Sequence, residues 1–215
     1  TPGTIDDIFE LAGLTIGGNG FLVLLQKNHP YSPHPNASVY ANTGTGDGWG
    51  SGSTSSIGHR GNAELKNGSK TFLLIQTTNP PTLGTDMDAN DDGRPDHPQY
   101  ASWLVWDSVG VMDMDADITY GAINFRSNSN GIATGTVVAV TFETEYLGRT
   151  GNTSGSSPAD WIACGDVGGT VPNWILKNPS TGLPASPFLN HLGAPNFGAP
   201  AIPGVVVRQS GGSTF

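Results

Sequence analysis

Five aspartates and an asparagine stand within eleven residues, Asp86-Met87-Asp88-Ala89-Asn90-Asp91-Asp92-Gly93-Arg94-Pro95-Asp96, beside a single arginine. Counted from Asp88 the stretch reads D-x-N-x-D-G-x-x-D. This is the oxygen spacing of a calcium loop of the EF-hand type at positions 1, 3, 5, 6 and 9. Calcium is a hard cation that takes about six to eight oxygens. Short carboxylates at alternate positions supply them, and Gly93 permits the turn that brings the Arg94 carbonyl round as another. With no cation present, the same carboxylates repel one another at close range. The expected ligands are Asp88, Asn90, Asp92 and Asp96 through their side chains and Arg94 through its main chain. Asp86, or an acid from elsewhere such as Asp107, completes the shell. Two features depart from a true EF-hand. Position 12, normally a bidentate glutamate, is Gln99. Pro80, Pro81, Pro95 and Pro98 exclude flanking helices. The expectation is therefore a calcium loop inserted in a non-helical scaffold, with a solvated acidic turn as the bland alternative.

Other residues that could do chemistry are less organised. His29, His34 and His59 fall in a long polar segment over 28–63, at a spacing that matches no zinc pattern. Asp113, Asp115 and Asp117 alternate, so an extended chain points all three to one side. No glycine turn follows them, and a solvated strand edge is favoured over a second cation site. Glu143 and Glu145 share the polar face of an alternating strand, which favours exposure over a glycosidase-like acid pair. Cys164, the single cysteine, sits in an apolar run and reads as a buried, inert thiol. No nucleophile-elbow, zincin, P-loop or dinucleotide motif occurs. The expectation is a module without catalytic activity.

These residues need a scaffold, and composition says which kind. The chain has 215 residues and a formal charge of −9, which argues against nucleic acid or an anionic membrane as a partner. With 31 glycines and 16 prolines, it is rich in turns and poor in helix formers, as in an all-β protein. No apolar stretch approaches membrane-spanning length. The chain opens at Thr1 with neither an initiator methionine nor a signal-peptide pattern. It reads as a piece of a longer, extracellular or cell-surface polypeptide.

Apolar runs bounded by turns predict buried strands over Phe21–Gln26 and Thr71–Gln76. Trp103–Val111 reads as a central strand with Asp107 as its one charge. Such an acid must be paired or coordinate something. Further strands are predicted over Ile118–Phe125, Thr136–Glu145, Val171–Leu176 and from Pro203.

Several pieces occur in an order that resembles one family. They are Gly20-Phe21-Leu22-Val23-Leu24, Asn67-Gly68-Ser69-Lys70-Thr71-Phe72-Leu73-Leu74, the acidic run from Gly84 to Gly93, Asp107-Ser108-Val109-Gly110-Val111, and Leu192-Gly193-Ala194-Pro195-Asn196. Together they resemble the lamin-tail-like domains of large secreted bacterial proteins, notably of planctomycetes. The resemblance spans residues 8–197. The family's opening strand, with its Asn-Glu pair, is not evident. The resemblance implies an immunoglobulin-like β-sandwich over 1–197, with long loops and the calcium loop as an insert. Residues 198–215 would be a linker and the start of a following β module. The implied role is a calcium-stabilised structural or adhesive module that meets other copies or domains of the same surface protein, or polysaccharide. The alternatives are a calcium-dependent secreted hydrolase of nuclease or phosphatase type, with the 28–63 histidines lining a pocket, and a carbohydrate-binding domain that uses Trp49, Tyr31 or Tyr40 as a stacking platform.

Overall fold

A computed structural model describes residues 1–29, 31, 33–113, 117–127, 131–141, 144, 146–164 and 192–195. The predicted strands at 171–176 and from 203, the residues Asp115, Glu143 and Glu145, and the 198–215 module lie outside them. The protein is all-β. Its strands are β1 (Asp7–Phe9), β2 (Leu22–Leu25), β3 (Ser38–Ala41), β4 (His59–Gly61), β5 (Lys70–Gln76) and β6 (Leu104–Met112). They continue as β7 (Ile118–Thr119), β8 (Ile123–Arg126), β9 (Ile132–Ala133), β10 (Thr136–Ala139), β11 (Tyr146–Arg149) and β12 (Trp161–Cys164). The only helical pieces among the described residues are three 3-10 turns, at Gly52–Thr54, Tyr100–Ser102 and Pro158–Asp160. None is long and apolar enough to cross a membrane.

The main sheet has the order β10-β8-β6-β5. β5 and β6 form an antiparallel pair, whereas β6, β8 and β10 run parallel. Val109 lies beside Ile123, and Ile123 beside Thr136, so one lap of chain takes 14 residues and the next 13. Between laps the chain crosses through β7 and β9, which pair with each other in parallel. The arrangement reads as a short solenoid. It differs from the antiparallel sheets expected of an immunoglobulin-like sandwich. Glycine sets the lap spacing: a Cβ on Gly135 would lie 2.2 Å from the Gly121 carbonyl oxygen, a contact only glycine avoids. The buried Asn124 closes the corner below. Its side-chain amide donates to the Gly121 carbonyl (2.7 Å) and its Oδ1 accepts the Gly121 N–H (3.0 Å). The single strand predicted over 118–125 is therefore two short strands with a corner at Tyr120–Ala122.

The core follows from this sheet. Ile123, Phe125, Val138 and Val140 are buried against Trp161 and Ala163 of β12, with Val109 and Leu147 at the margin. The antiparallel β11–β12 pair thus forms a second layer over the parallel strands. Phe125 and Trp161 meet edge-on at 6.3 Å. β5 was expected to be buried, yet Phe72 and Leu74 are exposed because the strand ends the sheet and the second layer stops short of it. The 28–63 segment is more structured than its composition suggested. It contributes β3, which pairs in parallel with β2, and β4, which pairs with β1.

Candidate metal centre

The acidic loop joins β5 to β6 and is clamped at its base. Thr4 bridges Asp86, and the Met87 N–H donates to the Gly3 carbonyl (3.0 Å). At the far end the Asp96 and His97 N–H groups both return to the Met87 carbonyl. Between these points the side chains fold onto the main chain as Asx turns, which short polar residues favour. Asp86 Oδ1 accepts the Asp88 N–H (3.0 Å), Asn90 Oδ1 the Asp92 N–H (3.1 Å) and Asp92 Oδ1 the Arg94 N–H (3.0 Å). Asp96 Oδ1 reaches back to the Ala89 N–H (3.2 Å). Gly93 has φ 88 and Asp91 φ 55, both in the left-handed region.

Asp88 is the centre of the loop and is fully buried. Its Oδ1 accepts the Asp92 N–H (3.2 Å), and its Oδ2 accepts the Gly93 N–H (2.8 Å) and the Tyr120 hydroxyl (2.9 Å). Tyr120 follows β7, and Gly93 packs on the same pair of strands: a Cβ at position 93 would meet Ile132 Cγ2 at 2.5 Å. The loop is thus seated on the solenoid's second face. Burial first, then the hydrogen bond to Asp88 and the negative charges of Asp88, Asp91 and Asp86, push the Tyr120 hydroxyl well above the ordinary tyrosine range. Spacing along the chain gave no sign of Tyr120, because its partner lies 32 residues away.

Asp107 has another partner. The Arg149 guanidinium grips it with Nε on Oδ2 (3.1 Å) and Nη2 on Oδ1 (2.5 Å). Arg149 also lies 4.3 Å over the Trp161 ring. The pairing required of a lone acid in an apolar strand is supplied by this arginine at the end of β11.

The histidines hold separate positions. Buried His59 meets Asp7 Oδ1 through Nε2 (3.0 Å) and the Gly50 carbonyl through Nδ1 (2.5 Å), with Phe9 against its ring. His34 contacts Asn19 and the Asn36 N–H, and His29 stacks on Tyr31. Asp113 donates its N–H to Ser69, whose hydroxyl donates to Asp117. Trp49, half-buried, packs edge-on against Phe9 at 4.9 Å. Among the described residues no three His, Cys, Asp or Glu side chains stand together as around a bound metal ion. Within the loop Asp86, Asp88, Asp92 and Asp96 each turn at least one carboxylate oxygen onto the main chain.

No protein-family model matches the chain, and neither a curated protein nor a solved structure matches it significantly.

Proposed function

We propose that this is a calcium-stabilised structural or adhesive β module of an extracellular protein, with residues 86–96 as its calcium loop. The observation that carries the reading is Asp88. It is a wholly buried carboxylate at the first position of a D-x-N-x-D-G-x-x-D loop, whose alternate acids are held in register by their own Asx turns. The donor set is all oxygen, which suits calcium and not the softer metals. Asp88, Asn90, Asp92 and Asp96, the Arg94 carbonyl and Asp86 are the proposed ligands. Asp107 falls outside the set because Arg149 neutralises it. A bound ion would neutralise a cluster of like charges and rigidify the junction between β5, β6 and the β7–β9 pair.

The lamin-tail-like resemblance and the sandwich it implies remain part of this proposal; the β11–β12 pair packed over β8 and β10 supports a second layer, while the parallel laps depart from that family's sheets. A non-catalytic role is supported by the separate structural partners of His29, His34, His59, Asp107 and Asp113. A hydrolase would need several of them in one cleft.

The test is thermal unfolding in calcium and in chelator, for the native chain and for D92A/D96A. Both of those residues are exposed, so the core is spared. At about a hundredfold excess of calcium over Kd, linkage gives about 2.7 kcal/mol, or roughly 5–10 °C for a domain of this size. The shift should vanish in D92A/D96A. Identical native melting curves with and without calcium would mean a turn closed by hydrogen bonds alone.

A further inference from the structure

We propose that the chain pairs with a second copy of itself along β5, edge to edge and antiparallel, about a two-fold axis at Leu73. The observations are independent of the acidic loop. β5 ends the four-stranded sheet, and among the described residues no main-chain group pairs with its outer edge. Such an edge is a template for another strand unless it is blunted by proline, an inward charge or extreme shortness. β5 has no proline and runs seven residues, Lys-Thr-Phe-Leu-Leu-Ile-Gln, with its one charge, Lys70, at the first position and paired with Asp6 (3.5 Å). The register shift between Leu74 and Ile75 places its extra residue, Trp106, on β6, so the outer edge of β5 stays regular.

The side chains beside this edge are apolar and uncovered. Phe72 is 43% exposed, Leu74 48%, Leu104 53% and Trp106 65%. Trp106 is fixed over the strand by its Nε1 on Gln76 Oε1 (3.3 Å).

Self-complementarity selects the occupant. In antiparallel pairing centred on Leu73, Phe72 faces Leu74 of the second copy and Leu74 faces its Phe72. Both contacts are apolar cross-strand pairs of the kind that stabilise sheets. Lys70 faces Gln76, so the two lysines stay apart. Charge points the same way. A chain of formal charge −9 repels its copies over most of its surface, but β5 carries no acid, and the two acids beside it are paired, Asp6 with Lys70 and Asp107 with Arg149. The exposed apolar surface is on the order of a few hundred Å² per copy, below the roughly 800 Å² per partner of a standard interface. The pairing therefore belongs to the weak, concentration-dependent class.

Sedimentation velocity over a concentration series tests it, on the native chain, Q76E and Q76K. Position 76 is exposed, so neither change threatens the fold, although Q76K gives up the acceptor for Trp106 Nε1 that Q76E keeps. In the proposed register the new charge faces Lys70 of the second copy, itself 3.5 Å from Asp6, twice by symmetry. Q76E should tighten a reversible dimer roughly two- to thirtyfold and Q76K should loosen it by a similar factor. A third variant, L74K, should be monomeric while keeping the native far-ultraviolet circular dichroism. A native chain that stays monomeric throughout, or a dimer that does not follow the order Q76E, native, Q76K, overturns the proposal.

Discussion

A carboxylate taken wholly out of water is costly unless donors or cations surround it. Asp88 has two main-chain N–H groups and the Tyr120 hydroxyl. Removing that hydroxyl with Tyr120→Phe should cost about 1–2 kcal/mol, read by urea denaturation. It should also change the alkaline limb. In the native chain Tyr120 holds its proton well above the ordinary value of 10.0, whereas in the unfolded chain it ionises near that value. Its contribution is therefore full below about pH 10 and declines as pH rises further. Denaturation at about pH 9 and about pH 11 should show a steeper loss in the native chain than in Tyr120→Phe. Gly93→Ala meets both a left-handed backbone and Ile132. A loss of about 1–3 kcal/mol in the same assay is expected. At this scale the turn at Gly93 was legible, because a glycine that follows alternating short acids is local chemistry. The hydroxyl that anchors the loop was not, nor was the arginine that holds Asp107. Both are brought in by the fold from distant stretches that carry no mark of the meeting.

β2, β5 and β6 fall where apolar runs between turns predicted them, within a residue or two. The parallel laps were illegible for a physical reason. Among the described residues a lap of 13 or 14 residues repeats only from β6 to β10, and two of its strands, β7 and β9, are two residues long. Neither shows an alternation that can be read. The Ile118–Phe125 stretch looked continuous because its corner is Tyr120-Gly121-Ala122, and one glycine in a strand pattern does not announce a bend. The corner depends on Asn124 and on stacked glycines, and each can be tested. Asn124→Ala strands the Gly121 N–H and carbonyl in the interior, at an expected cost of about 2–4 kcal/mol in chemical denaturation. Gly135→Ala forces the laps apart and should cost about 1–3 kcal/mol or more. Loss of β8–β10 amide protection in hydrogen exchange would locate the damage.

Across the whole molecule the acidic loop ties together parts far apart in sequence. The first residues brace its base, β5 and β6 emerge from its ends, and the β7–β9 pair supports its underside. Deleting residues 1–4 removes the Gly3 and Thr4 contacts. It should lower the melting point by roughly 2–4 °C for each kcal/mol lost, measured by calorimetry. If calcium binds as proposed, the same deletion should weaken its stabilising effect, because a frayed base leaves the loop less preorganised.

The stacked laps also decide how this molecule behaves under tension. The turns are not free to peel away singly, because the β11–β12 pair lies across β8 and β10 and Arg149 of β11 grips Asp107 of β6. Once that cover lifts, each turn that lets go pays out 13 or 14 residues, roughly 45–50 Å of extended chain. Under a pull the second layer would thus be the catch, and the coil beneath it the slack held in reserve.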